Sequence, residues 1–290
     1  MKKQMNDLCD HHDFSLLRLA PTVLRARDFR LYTRDGRRLV DLWQNGGGAI
    51  LGHTPPSLLR EIKNTASRGL YAPFPHFLEG RFIKALSRIF PGRVFRIYAA
   101  PVHYLENSSH MEAQRVALWR PFVDSAVPLA VPDTHPVLIP VVPGIHGWRG
   151  GLPLGLCVLA IDPDFEGITT LPPGDFLPPV LLAAATRGLY DLIAAACHRA
   201  KPVYHRIEKA LKDSPWQRRG IYLTLRDSPS QDEWAALFGQ FLKAGFLLPP
   251  VSYQPVILPG ILSPGEEAKL AEMVEINTCN ILVSASERSS

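Results

Sequence analysis

Lysine is scarce in this chain of 290 residues: there are nine, against 23 arginines, and none stands between Lys84 and Lys201. Chemistry that depends on a lysine amine, such as an imine with an aldehyde, therefore has no candidate in that interval. The four cysteines (Cys9, Cys157, Cys197 and Cys279) lie far apart with no Cys-x-x-Cys pair, which argues against a disulfide framework or a zinc ribbon. Apolar runs are short. The longest, such as Gly151 to Ile161, stop well below the roughly 18–20 residues that cross a bilayer, so no membrane association is expected. Asp7, Asp10 and Asp13 interrupt the place where a signal peptide keeps its apolar core, and a cytoplasmic location is expected. No Gly-x-Ser-x-Gly elbow, Walker loop or internal repeat is present.

What is there is the composition of a folded protein, 46% hydrophobic and 9% aromatic. The net charge of +5 looks like an invitation to nucleic acid. Most of it sits in residues 1–40, where Arg25, Arg27, Arg30, Arg34, Arg37 and Arg38 are interleaved with Asp28, Asp35 and Tyr32. Without a sustained basic face or a recognisable module, no nucleic-acid partner is expected. Cys9-Asp-His-His-Asp13 has metal-ligand residue types, but five consecutive residues of a tail cannot close a tetrahedral shell. His103, His110, His135 and His146 are dispersed, and no metal site is assigned.

Two short runs around Asp35-Gly36 predict a hairpin, followed by the glycine run Gly46–Gly48. Ser57 is a candidate cap for a helix carrying Leu58, Leu59, Ile62 and Ala66, and a second helix is predicted over about 77–90. Val94–Ala99, Val137–Val142 and Gly155–Ile161 read as buried strands, the last two as members of a parallel-type sheet. A long helix is predicted from Pro179 to Ala200, then a helix to about Lys212, a strand at Gly220–Leu225 and another at Pro255–Leu258. Ser230-Gln-Asp-Glu233 and Ser263-Pro-Gly-Glu266 are capping-box signatures for two further helices, the last reaching about Ile276. The expected organisation is a tail (1–30), an N-terminal segment with a truncated large domain (31–177), a connecting helix (178–200), a small α/β domain (201–276) and a second tail (277–290).

Four segments in order resemble the class III aminotransferases, pyridoxal-phosphate (PLP) enzymes of fold type I that include the glutamate-1-semialdehyde aminomutases. They are Leu31-Tyr-Thr-Arg-Asp-Gly-Arg-Arg-Leu-Val-Asp-Leu-Trp with Leu51-Gly-His-Thr-Pro; Gly150-Gly-Leu-Pro-Leu-Gly155; Pro179-Val-Leu-Leu-Ala-Ala-Ala; and Gly245-Phe-Leu-Leu through the helix opened by Ser263. The resemblance implies an α/β fold: a shortened PLP-transferase-like large domain with a small C-terminal α/β domain. It places the Schiff-base lysine at the position of His146, with Gly150, Gly151 and Asn45 beside the cofactor. It also implies a homodimer, or pairing with a full-length paralogue.

An imidazole forms no stable imine with the cofactor aldehyde, and Lys201 would have to reach in from a helix end. The phosphate cradle, a Ser-Gly-x-Glu-Ala turn in the family, reads Ala99-Ala-Pro-Val-His103 here; Asn107-Ser-Ser109 with Glu112-Ala113 is a shifted candidate. Asp133 reads as a turn residue rather than the acid that pairs with the pyridinium nitrogen. The expectation is a degenerate relative that neither holds PLP nor transaminates, with a residual binding or assembly role. The alternatives are an active PLP-dependent aminotransferase or aminomutase, using Lys201 or non-covalent PLP, and a small-molecule or metal site around His146.

Overall fold

The computed structural model describes residues 14–99, 116–144, 156–199 and 204–287. After a 3-10 turn at Phe14–Leu19, strands β1 (Val23–Arg27), β2 (Arg30–Thr33) and β3 (Arg38–Asp41) form an antiparallel meander. The β2–β3 turn falls at Asp35-Gly36 as predicted: Gly36 takes φ +80°, the Thr33 amide donates to the Arg37 carbonyl at 3.0 Å, and the Thr33 hydroxyl donates to the Asp35 carboxylate. Strand β1 lies in the segment expected to be a tail. Its exposed Arg and Leu side chains give it no half-buried alternation to detect.

Helices α1 (Pro56–Ala66) and α2 (Leu78–Ile89) follow. Ser57 is not the cap of α1. Pro55 holds that position in extended conformation with Pro56 inside the first turn, where its missing N–H is harmless, and the Ser57 hydroxyl instead donates to Asp191 at 2.6 Å. α2 turns Leu78, Phe82, Ala85, Leu86 and Ile89 inward at helical spacing.

The interior sheet has the order β4-β7-β6-β5, from β4 (Val94–Tyr98), β5 (Val116–Trp119), β6 (Val137–Pro140) and β7 (Cys157–Ile161). Along β6 and β7 alternate residues enter different clusters. Leu138, Val158 and Ala160 join the core under α1, α2 and the long helix α3 (Pro179–Arg199), while Val137, Ile139, Cys157, Leu159 and Ile161 pack with Tyr98 and Leu171 on the other face. Both faces are covered, and this makes the strands continuous apolar runs. Their direction corrects the expectation: β7 is antiparallel to both β4 and β6, and only β5 and β6 are parallel. An unbroken apolar run reports coverage on two faces, which antiparallel neighbours satisfy equally.

By length and composition α3 could cross a membrane. Arg187 and Asp191 pair across one turn of this helix, and its Leu182, Ala183, Ala184, Ala185, Leu189 and Leu192 lie in the core against α1 and α2. It is a core helix.

The remaining elements are α4 (His205–Ala210), β8 (Trp216–Arg219), β9 (Tyr222–Leu225), α5 (Gln231–Ala244), β10 (Phe246–Leu247), β11 (Val256–Ile257) and α6 (Pro264–Glu287). β11-β9-β8 form a small sheet, and β10 pairs in parallel with β3. The N-terminal meander thus shares a core with the C-terminal segment: Leu31, Leu39, Val40 and Leu42 pack with Trp216, Phe238, Phe241, Phe246 and Leu270. Each fully buried side chain of this size stabilises the fold by about 1.5–3 kcal/mol. Arg30 on β2 adds a two-pronged bond to Glu266 on α6, with Nε–Oε1 at 2.9 Å and a second nitrogen 2.5 Å from Oε2.

Candidate functional site

The end of β3 leads into an unusual stretch of backbone. Gln44, Asn45, Gly46 and Gly47 all have positive φ (49°, 50°, 64° and 113°), so four successive residues occupy a region that L side chains avoid. Buried Asp41 holds the entry. Its Oδ1 accepts from the amides of Trp43 and Gln44 at 2.9 and 2.8 Å, and its Oδ2 lies 2.7 Å from His53 Nε2. The Gln44 side chain then donates from Nε2 to the Ile257 carbonyl at 2.9 Å. Gly47 is required on two counts, since a Cβ there would sit 2.8 Å from Val141 Cγ1 in addition to the backbone strain.

Three segments meet on this loop. From the exit of β6, the Gly144 amide donates to the Gly48 carbonyl at 2.6 Å, so the chain enters residues 145–155 from a point fixed to the glycine run. From the exit of β5, Arg120 donates to the Gly46 carbonyl at 3.3 Å and lies 5.8 Å from the centre of the Tyr222 ring. Burial pushes the Arg120 guanidinium below its ordinary pKa, with the nearby Tyr222 opposing it. From the end of α3, Arg199 donates to the Ile50 and Leu258 carbonyls at 3.0 and 2.6 Å over the Phe29 ring. Among the described residues its third nitrogen and the Gln44 side-chain carbonyl are buried without partners. Desolvation likewise raises the Tyr222 hydroxyl far above its usual range, so it remains a donor, to Pro121 at 2.7 Å.

Of the predicted site residues, Asn45 lies half-buried in this loop, whereas His146, Gly150 and Gly151 fall outside the described residues. So do Lys201, His103, His110, the Cys9–Asp13 cluster, the Asn107–Ala113 alternative and all of the cradle turn beyond Ala99. Asp133 is on an exposed turn as expected, and the adjacent His135 bonds Thr134 at 2.8 Å. Among the described residues no group of three or more His, Cys, Asp or Glu side chains could hold a metal. Asp41, His53, Arg120, Arg199 and Tyr222 were not read as site residues. The Leu51-Gly-His-Thr-Pro segment contained the signal for His53; the others are single polar residues beside apolar runs, with nothing local to mark them.

One contact bears directly on cofactor chemistry. Ala99, the residue after β4, donates its amide to the carboxylate of Asp175 at 2.9 Å, and the Asp175 amide returns a bond of 2.8 Å to the Ile97 carbonyl. Gly174 is forced close to the same strand, where a Cβ would approach the Ile97 carbonyl to 3.0 Å. The segment before α3 is thus laid along the end of β4 with its carboxylate at the first free amide.

The fold is that of the PLP-dependent transferases of fold type I. Ornithine delta-aminotransferase of Plasmodium falciparum superposes with a TM-score of 0.62 at 13% identity, over 96% of this chain and 97% of that one. No protein-family model matches the chain. An uncharacterized protein of Treponema pallidum is 27% identical over 285 residues, 84% of this chain and 91% of that protein. Glutamate-1-semialdehyde 2,1-aminomutase of Sorangium cellulosum is 33% identical over 69 residues, 24% of this chain and 16% of the enzyme. In fold the chain is similar to the class III aminotransferases, and over about a quarter of its length its sequence is similar to the glutamate-1-semialdehyde aminomutases.

Two features of the described residues bear on whether PLP would fit. The amide after β4 that would help cradle a phosphate dianion is already bonded to a carboxylate, which would repel that dianion. None of the four interior strands carries an Asp or Glu to face a pyridinium nitrogen.

Proposed function

We propose that this protein keeps the class III aminotransferase fold without Schiff-base chemistry, and that its role is binding or assembly. The observation that carries the reading is Asp175 on the Ala99 amide. A site evolved for a phosphate dianion places amide donors and positive potential after that strand, and here a carboxylate has replaced the anion. The lysine-free interval from Ala85 to Ala200 supports it, because no side chain there can form the internal aldimine. The strained loop at Gln44–Gly47 then serves as a rigid junction, tying the exits of β5 and β6 to the C-terminal segment through Arg120, Gly144 and Gln44.

Self-association is the assembly this surface favours. Tyr71, Phe74, Phe77 and Phe176 are each more than half exposed. The first three lie in the α1–α2 connection, and the Val180 amide bonds Leu70 at 3.4 Å, bringing the start of α3 and the approach from Phe176 to the same end of the molecule. A cluster of aromatic side chains left in water at one end favours burial against a second copy.

Absorbance tests the reading. Purified protein, as isolated and after equilibration with PLP followed by dialysis, is expected to show no visible aldimine band. A band that survives dialysis at one cofactor per chain contradicts it.

A further inference from the structure

A cleft of about 380 Å³ opens between α1, α2 and α3, away from the glycine-run junction. Its walls carry Arg81, Lys84 and Arg88 from α2, Arg187 and Tyr190 from α3, and Glu61 from α1. The charges are not equivalent. Arg187 is committed to Asp191, whose other oxygen accepts from Ser57 at 2.6 Å, so this pair is neutral and pinned in place. Arg81, Lys84 and Arg88 make no ion pair among the described residues. They recur at intervals of three and four along α2 and so share one of its faces, an arrangement in which like charges repel unless an anion lies between them.

Two of these cations are held by rings instead of carboxylates. The Arg88 guanidinium lies 5.1 Å from the centre of the Tyr190 ring, and that of Arg81 lies 4.9 Å from the Phe77 ring. Stacking fixes the plane of a guanidinium and leaves its N–H fork free for an oxyanion. Glu61 is the one carboxylate on the wall beyond the pinned pair, so the cleft keeps a positive balance. A concave site with oriented arginine forks, an unpaired lysine and an aromatic wall suits a phosphoryl anion with more than one charge better than a carboxylate, which a single fork saturates.

We propose that this cleft is a binding site for a small polyanion of the pyrophosphate type, either inorganic or esterified. Arg81, Lys84 and Arg88 would neutralise its oxygens, with Tyr190 holding the Arg88 guanidinium in place. The site is independent of the PLP question, since it lies on the helical side of the interior sheet and uses no residue of the glycine-run junction.

The test is calorimetric titration of the full-length protein with inorganic pyrophosphate at low ionic strength, repeated with adenosine diphosphate as an esterified pyrophosphate. A single saturable site is expected, weakened at least about tenfold in R81Q/K84Q/R88Q and changed by no more than about twofold in R25Q/R27Q, a control that removes the same kind of charge from an exposed strand. Tighter binding of adenosine diphosphate would assign an esterified ligand; preference for inorganic pyrophosphate would assign an inorganic one. These substitutions are on the surface, and an unchanged thermal transition establishes that the variants fold. Absence of saturable binding of either probe, or equal binding by the triple variant, overturns the proposal.

Discussion

Gly220 shows how much one hydrogen atom in place of a side chain can decide. It has φ +58°, and a Cβ there would lie 1.8 Å from the Phe122 carbonyl oxygen, at the place where the exit of β5 meets the β8–β9 turn. Gly36 has φ +80° with open space around it. Gly36→Ala is therefore expected to cost only the backbone term, about 1 kcal/mol, and Gly220→Ala about 3 kcal/mol or more, since the collision is with backbone that cannot step aside. Urea midpoints of the two variants measure the difference, and equal costs would show that the Phe122 contact is not made. Glu266 is a second such residue. Burial opposes its ionisation, but hydrogen bonds from Arg30 and Ser263 outweigh this and hold its pKa at about 2 against an ordinary 4.5. The folded state thus prefers the carboxylate. Its contribution is complete above the unfolded value and is lost as pH falls from about 4.5 toward 2. Glu266→Gln should lower stability by about 2 kcal/mol at neutral pH, and its thermal midpoint should fall less steeply than the parent's over that range. Asp35, held low by the Thr33 hydroxyl, titrates in the same direction, so the slope should flatten without vanishing.

Among elements, the helices with capping boxes were the most legible. Ser230 and Glu233 form the reciprocal pair, with the Glu233 amide bonding the Ser230 hydroxyl and the Ser230 amide bonding the Glu233 carboxylate, and α5 ends on Gly245 at φ +93°. Ser230→Ala is expected to cost about 1 kcal/mol, measured by the shift in midpoint at constant denaturant slope. The second box, at Ser263, is equally plain. Ser57 misled because serine next to a proline pair resembles a cap, while its hydroxyl was recruited by Asp191 from a helix 134 residues on. β1 and β8 went unread for a related reason: VLRAR and WQRR hide their pairing among exposed arginines, and edge strands need little apolar content. The direction of β7 could not be read, because alternate residues feed two separate cores and leave no polar face to mark.

For the whole molecule, the order of segments was legible, and their meeting point was not. The likeness to the class III aminotransferases rested on local strings, and strings survive in sequence. The junction depends on Arg120, Tyr222, Arg199 and Asp41 arriving from four parts of the chain, and Asp175 reaches Ala99 across 76 positions. The shared core of the N-terminal meander with the C-terminal segment has the same origin, since β3 and β10 pair over 200 residues apart. At this scale a double substitution, F74D/F77D, is expected to shift a dimer to monomer in sedimentation velocity at unchanged secondary structure. A parent protein that sediments as a monomer at all concentrations would remove self-association from the reading.

The absence of Schiff-base chemistry is the central claim, and reductive trapping addresses it most directly. Protein incubated with PLP, reduced with borohydride and weighed intact by mass spectrometry is expected to gain no stoichiometric pyridoxyl adduct, with only scattered trace labelling of surface lysines. One adduct per chain, mapped by peptide sequencing to a single lysine such as Lys201, would contradict it.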